Sequence, residues 1–184
     1  MKKYLTLIFI FLKLASYSQD KYNYVDYNKL TDLEGTNFVI ATVDNRNKIS
    51  TEKKYLLFIN TKTGVSKQID FPKDSYIEKI EQIKIDFLNI NKVIVAANTI
   101  NLNGNKTIDW RDPKQIIILS TDGSEKTQLT DDKFFVSTWT VNKQTGTIII
   151  TGHYDTNNNG KHDKTDKNEI LLYDLKTLKL ITKI

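Results

Sequence analysis

The sequence predicts an all-β protein built from about three four-stranded antiparallel units. Three observations carry this. Apolar residues come in runs of four or five, rich in Ile, Val, Tyr and Phe. Clusters of Asn, Asp, Gly or Lys bound each run, and no segment keeps a helical period. The runs also come in pairs, and the pairs recur about 54 residues apart.

Residues 1–18 read as a secretory signal peptide. Met1-Lys2-Lys3 is a basic start. Tyr4 to Ala15 is apolar except for Thr6 and Lys13, and the small residues Ser16 and Ser18 precede Gln19. The apolar run of about a dozen residues is too short for a membrane span of about 20. The expected mature chain is residues 19–184, a single all-β repeat domain that is exported to the periplasm or the extracellular space. No Cys follows the leader, so lipid cannot be attached there.

Three units are expected, near 20–75, 76–130 and 131–184. The first pairs Phe38-Val39-Ile40-Ala41 with Tyr55-Leu56-Leu57-Phe58-Ile59 across a polar loop from Asp44 to Glu52. The second pairs Val93-Ile94-Val95-Ala96 with Ile116-Ile117-Ile118-Leu119, and the third pairs Thr147-Ile148-Ile149-Ile150 with Ile170-Leu171-Leu172-Tyr173. Each second run meets a turn, of the Thr-Gly or Asp-Gly kind in the first two units, and then a short polar strand: Val65–Asp70, Lys126–Thr130 or Lys179–Ile184. A further strand precedes each pair, over Tyr22–Tyr27, Ile83–Phe87 and Phe135–Val141. Sliding Val93–Ser120 by 54 residues onto Thr147–Asp174 gives six identities in 28 positions. Four of the six are polar and lie in the loop.

The paired strands, with Leu171-Leu172-Tyr173-Asp174-Leu175-Lys176-Thr177 and Ile118-Leu119-Ser120-Thr121-Asp122-Gly123 as third strand and turn, resemble the TolB-like and WD40-like β-propeller repeats of secreted bacterial proteins. The resemblance implies propeller-like blades. A β-sandwich or an open twisted sheet stands as the alternative. Closed propellers typically have about 4–8 blades, so three would leave open sheet edges. Such edges imply a protein partner, bound there or supplied by self-association.

The most specific stretch is Asp155-Thr156-Asn157-Asn158-Asn159-Gly160-Lys161-His162-Asp163-Lys164-Thr165-Asp166. Numbered one to twelve, it sets oxygen side chains at one, three, five, nine and twelve and Gly at six. That is the spacing of a calcium loop, because Ca²⁺ takes six to eight oxygens at about 2.4 Å. The expected ligands are Asp155, Asn157, Asn159, the Lys161 carbonyl, Asp163 and Asp166. Gly160 is expected to take the sharp reversal. The loop resembles EF-hand and dockerin loops, and also the hairpin-borne loops of integrin-type propeller blades. A structural Ca²⁺ bound at about 10⁻⁴–10⁻³ M is implied. Fifty-four residues earlier, Asn101, Asn103, Asn105, Thr107, Asp109 and Asp112 form a weaker candidate, with Lys106 where the other loop has Gly. A loop held by hydrogen bonds is its alternative.

Composition excludes several classes. The 184 residues hold no Cys and two His, which leaves no thiolate site and too few imidazoles for a multi-histidine centre. Without Lys2, Lys3 and Lys13 the balance is 24 basic against 22 acidic, which is no basis for nucleic-acid binding. No phosphate loop and no Gly-x-Ser-x-Gly is present. His153 and His162 are expected at the surface or in turns, and Trp139 in the core. Trp110, beside Arg111 in a loop, is a candidate recognition residue. The expectation is a calcium-binding interaction module without catalytic activity. A calcium-dependent hydrolase and an immunity or inhibitor protein are the alternatives.

Overall fold

The structure is a computed structural model, and it describes residues 24–46, 51–159 and 163–184. The expected signal peptide, Tyr22, and Gly160, Lys161 and His162 lie outside the described residues. Three four-stranded antiparallel sheets make up the chain. The first holds β1 (Tyr24–Asp32), β2 (Phe38–Arg46), β3 (Thr51–Asn60) and β4 (Ser66–Phe71). The second holds β5 (Tyr76–Ile85), β6 (Ile90–Asn98), β7 (Lys114–Ser120) and β8 (Lys126–Gln128). The third holds β9 (Phe134–Asn142), β10 (Thr147–Tyr154), β11 (Lys167–Asp174) and β12 (Lys179–Lys183). Each sheet is a simple meander in chain order, none closes into a barrel, and three sheets replace the two of a sandwich.

The repeat is exact on the second strand of each sheet but slips by one on the third, where Ile116 is buried, Ile170 is exposed and Leu171 takes the buried place. Ile40, Ile94 and Ile148 stand 54 residues apart, each on the second strand of its sheet, and all three are fully buried. The middle sheet is covered on both faces. Val93, Val95 and Ala97 of β6, with Ile117 and Leu119 of β7, pack against Ile40, Leu56 and Phe58 of the first sheet. Ile94 and Ala96, with Ile116 and Ile118, pack against Phe134, Ile148, Ile150 and Leu171 of the third. A strand with two buried faces has no polar alternation to show, which is why Val93–Ala97 and Ile116–Leu119 read as unbroken apolar runs. The outer sheets bury one face, so β10 alternates along Ile148, Ile150 and Gly152. Each large side chain so buried contributes roughly 1.5–3 kcal/mol.

Turns between the third and fourth strands repeat as well. The Asn60 Oδ1 accepts the Lys62 and Thr63 amides, and the Asp174 Oδ1 accepts those of Lys176 and Thr177. Asn142 plays the same part between β9 and β10, where Gly146 takes φ +69. A Cβ on Gly146 would stand 2.7 Å from the Ile90 Cδ1, so both backbone and space require glycine there.

Three strand expectations need correction. The first strand of the middle sheet starts at Tyr76 rather than Ile83, because Glu78, Lys79 and Glu81 are tolerated on an edge strand with a bulge between Ile77 and Lys79. It stops at Ile85. Asp86–Leu88 is a 3-10 turn closed by the Asn89 amide on the Asp86 carbonyl at 3.1 Å, so Phe87 is exposed in a turn rather than in a strand. The first strand of the chain continues to Asp32, with a bulge between Tyr27 and Lys29 that leaves Tyr24 and Tyr27 exposed. Trp139 packs at the margin of the second core cluster under the Lys79 ammonium, 4.7 Å from its ring. His153 lies in β10, stacked on Phe135.

Candidate metal centre

Both candidate loops are the tips of hairpins between the second and third strands of a sheet. The pair Asn98 and Lys114 closes one, and Tyr154 and Lys167 closes the other. Their internal hydrogen bonds match residue by residue at an offset of 54. The Asp112 Oδ1 accepts the Leu102 amide at 2.9 Å, and the Asp166 Oδ1 accepts the Thr156 amide at 3.1 Å. The other oxygen of each accepts the amide of Asp109 or of Asp163, both at 2.8 Å. Asn103 and Asn157 accept the amides of Asn105 and Asn159 at 3.0 and 3.1 Å. Asp112 and Asp166 are buried carboxylates that peg the loop backbone, and a charged acceptor makes each such bond worth about 1.5–3 kcal/mol.

The left-handed residue falls at the fourth loop position in both loops: Gly104 at φ +71 and Asn158 at φ +56. Gly and Asn are the residue types that take this conformation at little cost. The sequence shows both, aligned at 54, but spacing by itself points to the sixth position, where Gly160 lies outside the described residues.

Three of the expected ligands converge in the second loop. The Asn157 and Asn159 Nδ2 groups both donate to the Asp163 Oδ2, at 3.0 and 2.6 Å. Asp155 accepts the Asn159 amide at 3.0 Å, and Asp166 sits behind as the peg. The hydroxyl and amide of Thr165 also point at Asp163. These Thr165 bonds, and then the two side-chain amides, hold the Asp163 carboxyl well below the ordinary carboxylate range. Thr165 is a partner that ligand spacing did not find. Turning the Asn159 side-chain amide over its terminal torsion would replace its NH₂ by a carbonyl oxygen, whereas Asn157 already spends its Oδ1 on the Asn159 backbone amide. Two oxygens, those of Asn159 and Asp163, would then face each other at roughly 3 Å, the separation of neighbouring donors around Ca²⁺. Oxygens at that distance repel unless a cation lies between them.

The first loop has the same frame with a cation already built in. The Arg111 guanidinium donates to Asp109 through Nη2 at 2.6 Å and Nε at 3.2 Å. Arg111, with its own amide and Asn105, lowers the Asp109 carboxyl to about 2. Arg111 takes the position that Thr165 holds in the second loop, and its charge neutralises the carboxylate a metal would need. Asn101 turns its Oδ1 to the Gly104 amide and its Nδ2 to the Asn105 carbonyl, and Thr107 caps the Asn105 Oδ1 with its amide. Asn101, Asn103, Asn105, Thr107, Asp109 and Asp112 are therefore brought together, but as a hydrogen-bonded loop. Among the described residues no three His, Cys, Asp or Glu side chains gather as a metal-binding group.

No protein-family model matches the chain, and no curated protein matches it. Among solved structures the chain is similar to Pyrococcus horikoshii acylaminoacyl peptidase, orthorhombic crystal form, at 12% identity and a TM-score of 0.46. The likeness covers 89% of this chain and 25% of the peptidase, so the chain spans about a quarter of that protein. A likeness at this level carries no functional argument.

Proposed function

We propose that this chain is an exported, calcium-stabilised interaction module of propeller-like blades, without catalytic activity. The observation that carries the calcium reading is the convergence of Asn157 and Asn159 on one oxygen of Asp163, inside a frame pegged by Asp166. The frame is the one that the first loop neutralises with Arg111. Where Thr165 stands instead, Ca²⁺ is the charge that completes it, with Asp155 and the Lys161 carbonyl closing the shell. Ca²⁺ would tie the β10–β11 tip and offset the entropy of ordering a twelve-residue loop in a chain without disulfides. Export rests on the basic-apolar-small pattern of residues 1–18.

Interaction with another protein chain follows from the open sheets. The edge strand β1 exposes Tyr24, Tyr27 and Leu30, and the edge strand β12 exposes Leu180 and Ile181. Edge strands with unpaired amides and apolar side chains are pairing surfaces.

Calorimetric titration of the mature chain with CaCl₂ tests the calcium reading. Binding at about 10⁻⁴ M would add roughly 2.7 kcal/mol at free calcium a hundredfold above Kd, about 10 mM. The melting temperature should then rise by roughly 5–11 °C and fall back in EDTA. Asp163→Ala should abolish both effects. No heat of binding at millimolar calcium, with identical melts in calcium and EDTA, would refute it.

A further inference from the structure

The 101–112 loop and the joint between the first two sheets enclose an open cleft of about 430 Å³. Lys54 of β3, Asp74 and Tyr76 at the joint, and Thr107 and Trp110 of the loop line it. A volume of this order suits a small organic ligand. Two large rings lie in water there: Trp110 is 83% exposed and Tyr76 is 53% exposed. Asp74 adopts φ +64, a left-handed conformation that Asp accepts more readily than most residues. Among the described residues no hydrogen bond or ion pair engages its carboxylate. An unused acceptor beside an exposed indole suits a recognition site.

We propose that this cleft binds a neutral saccharide. Its cations are already engaged, Lys54 with the buried Asp44 at 3.5 Å and Arg111 with Asp109 at 2.6 Å. A cationic ligand would be repelled by the two cations beside the rings, since the Lys54 ammonium stands 5.8 Å from the Tyr76 ring centre and the Arg111 guanidinium 5.9 Å from that of Trp110. An anion would meet Asp74. A sugar instead offers an apolar C–H face to lie on Trp110 and hydroxyls at its rim. Asp74 can accept from those hydroxyls and Lys54 can donate to them. The platform needs no metal, because Arg111 already fixes Asp109 next to Trp110. The saccharide site therefore stands or falls separately from calcium at residues 155–166.

The mature chain is titrated by calorimetry with the hexasaccharides of cellulose, xylan, mannan and chitin, and with choline as a cationic probe. At least one saccharide should bind saturably, in calcium and in EDTA alike. Trp110→Ala should abolish binding, Asp74→Asn should weaken it by about tenfold, the loss expected for one charge-assisted hydrogen bond, and Trp139→Phe should leave it unchanged. Melting curves show that each exposed-site variant is folded. Failure of all four saccharides at about 10 mM would overturn the proposal. So would binding that survives Trp110→Ala, or choline bound in preference to the sugars.

Discussion

Replacing Asp112 by Ala tests whether a buried carboxylate, rather than a metal, pegs the 101–112 loop. Asp112 is 3% exposed and accepts three backbone amides: Leu102 at 2.9 Å, Asn103 at 3.3 Å and Asp109 at 2.8 Å. The two shorter bonds are worth about 1.5–3 kcal/mol each, and the third is long and adds little. Partial solvation of the freed amides offsets part of the loss, so the expected cost is about 3–5 kcal/mol. At about 2–4 °C per kcal/mol for a chain of this size, the midpoint should fall by roughly 6–20 °C. Asp112→Asn keeps one carbonyl acceptor and should cost about half as much. Thermal unfolding is followed by circular dichroism at pH 7 in EDTA, so that no metal contributes. The Asp112 carbonyl that receives the Asn98 amide at 2.6 Å is retained in both variants, which confines the change to the side chain. An Ala variant that melts within about 2 °C of the parent would refute the peg, because that shift corresponds to less than one ordinary hydrogen bond.

Two further outcomes follow from the core and the turns. Ile117→Ala and Ile118→Ala each open a cavity and should cost about 2–5 kcal/mol, but on opposite faces of β7. Hydrogen exchange should accelerate in β2 and β3 for the first variant and in β10 and β11 for the second; the same pattern in both would count against the two-faced sheet. Acid should destabilise the protein as pH falls from about 4 towards 2. Asp109 and Asp122 are lowered to about 2 from 3.8, the latter by Ser120 and Ser124, and Asp163 is lowered too. The unfolded chain then takes up protons first, so the stabilisation is complete above the unfolded value and is lost on acidification. Urea midpoints across that range should fall less steeply for Asp122→Asn, and an unchanged slope would contradict the assignment.

Much of this architecture is visible in the residues. The paired runs from Phe38 to Tyr173 all fall inside strands, because strands buried on at least one face must be apolar and the loops between them must not be. Edge strands carry no such demand. Tyr76–Ile85 mixes Glu78, Lys79 and Glu81 with Ile77, Ile80 and Ile83, and its start is invisible to any apolar pattern. The stacking of three sheets is not visible, because Tyr55–Ile59 and Ile148–Ile150 of the outer sheets are as unbroken in their apolar character as Val93–Ala97, yet bury only alternate residues. Ligand spacing singled out Asn157, Asn159 and Asp163, whose side chains meet, while Lys161 lies outside the described residues. It could not show that Arg111 competes for the equivalent place in the other loop, because spacing counts donors and is silent on neighbouring charge. Nor could it show Asp74, which lies 36 residues from Trp110 and meets it only through the joint between sheets.

The second meander has no side that tolerates water. Cutting the chain after residue 75 or before residue 131 would strip one flank from β6 and β7 and bare a slab of isoleucine and valine. The three repeats therefore cannot be shuffled, excised or produced singly as independent modules. The central copy is kept soluble by its two neighbours, and truncated products that retain it are expected to clump rather than persist as smaller versions of the whole.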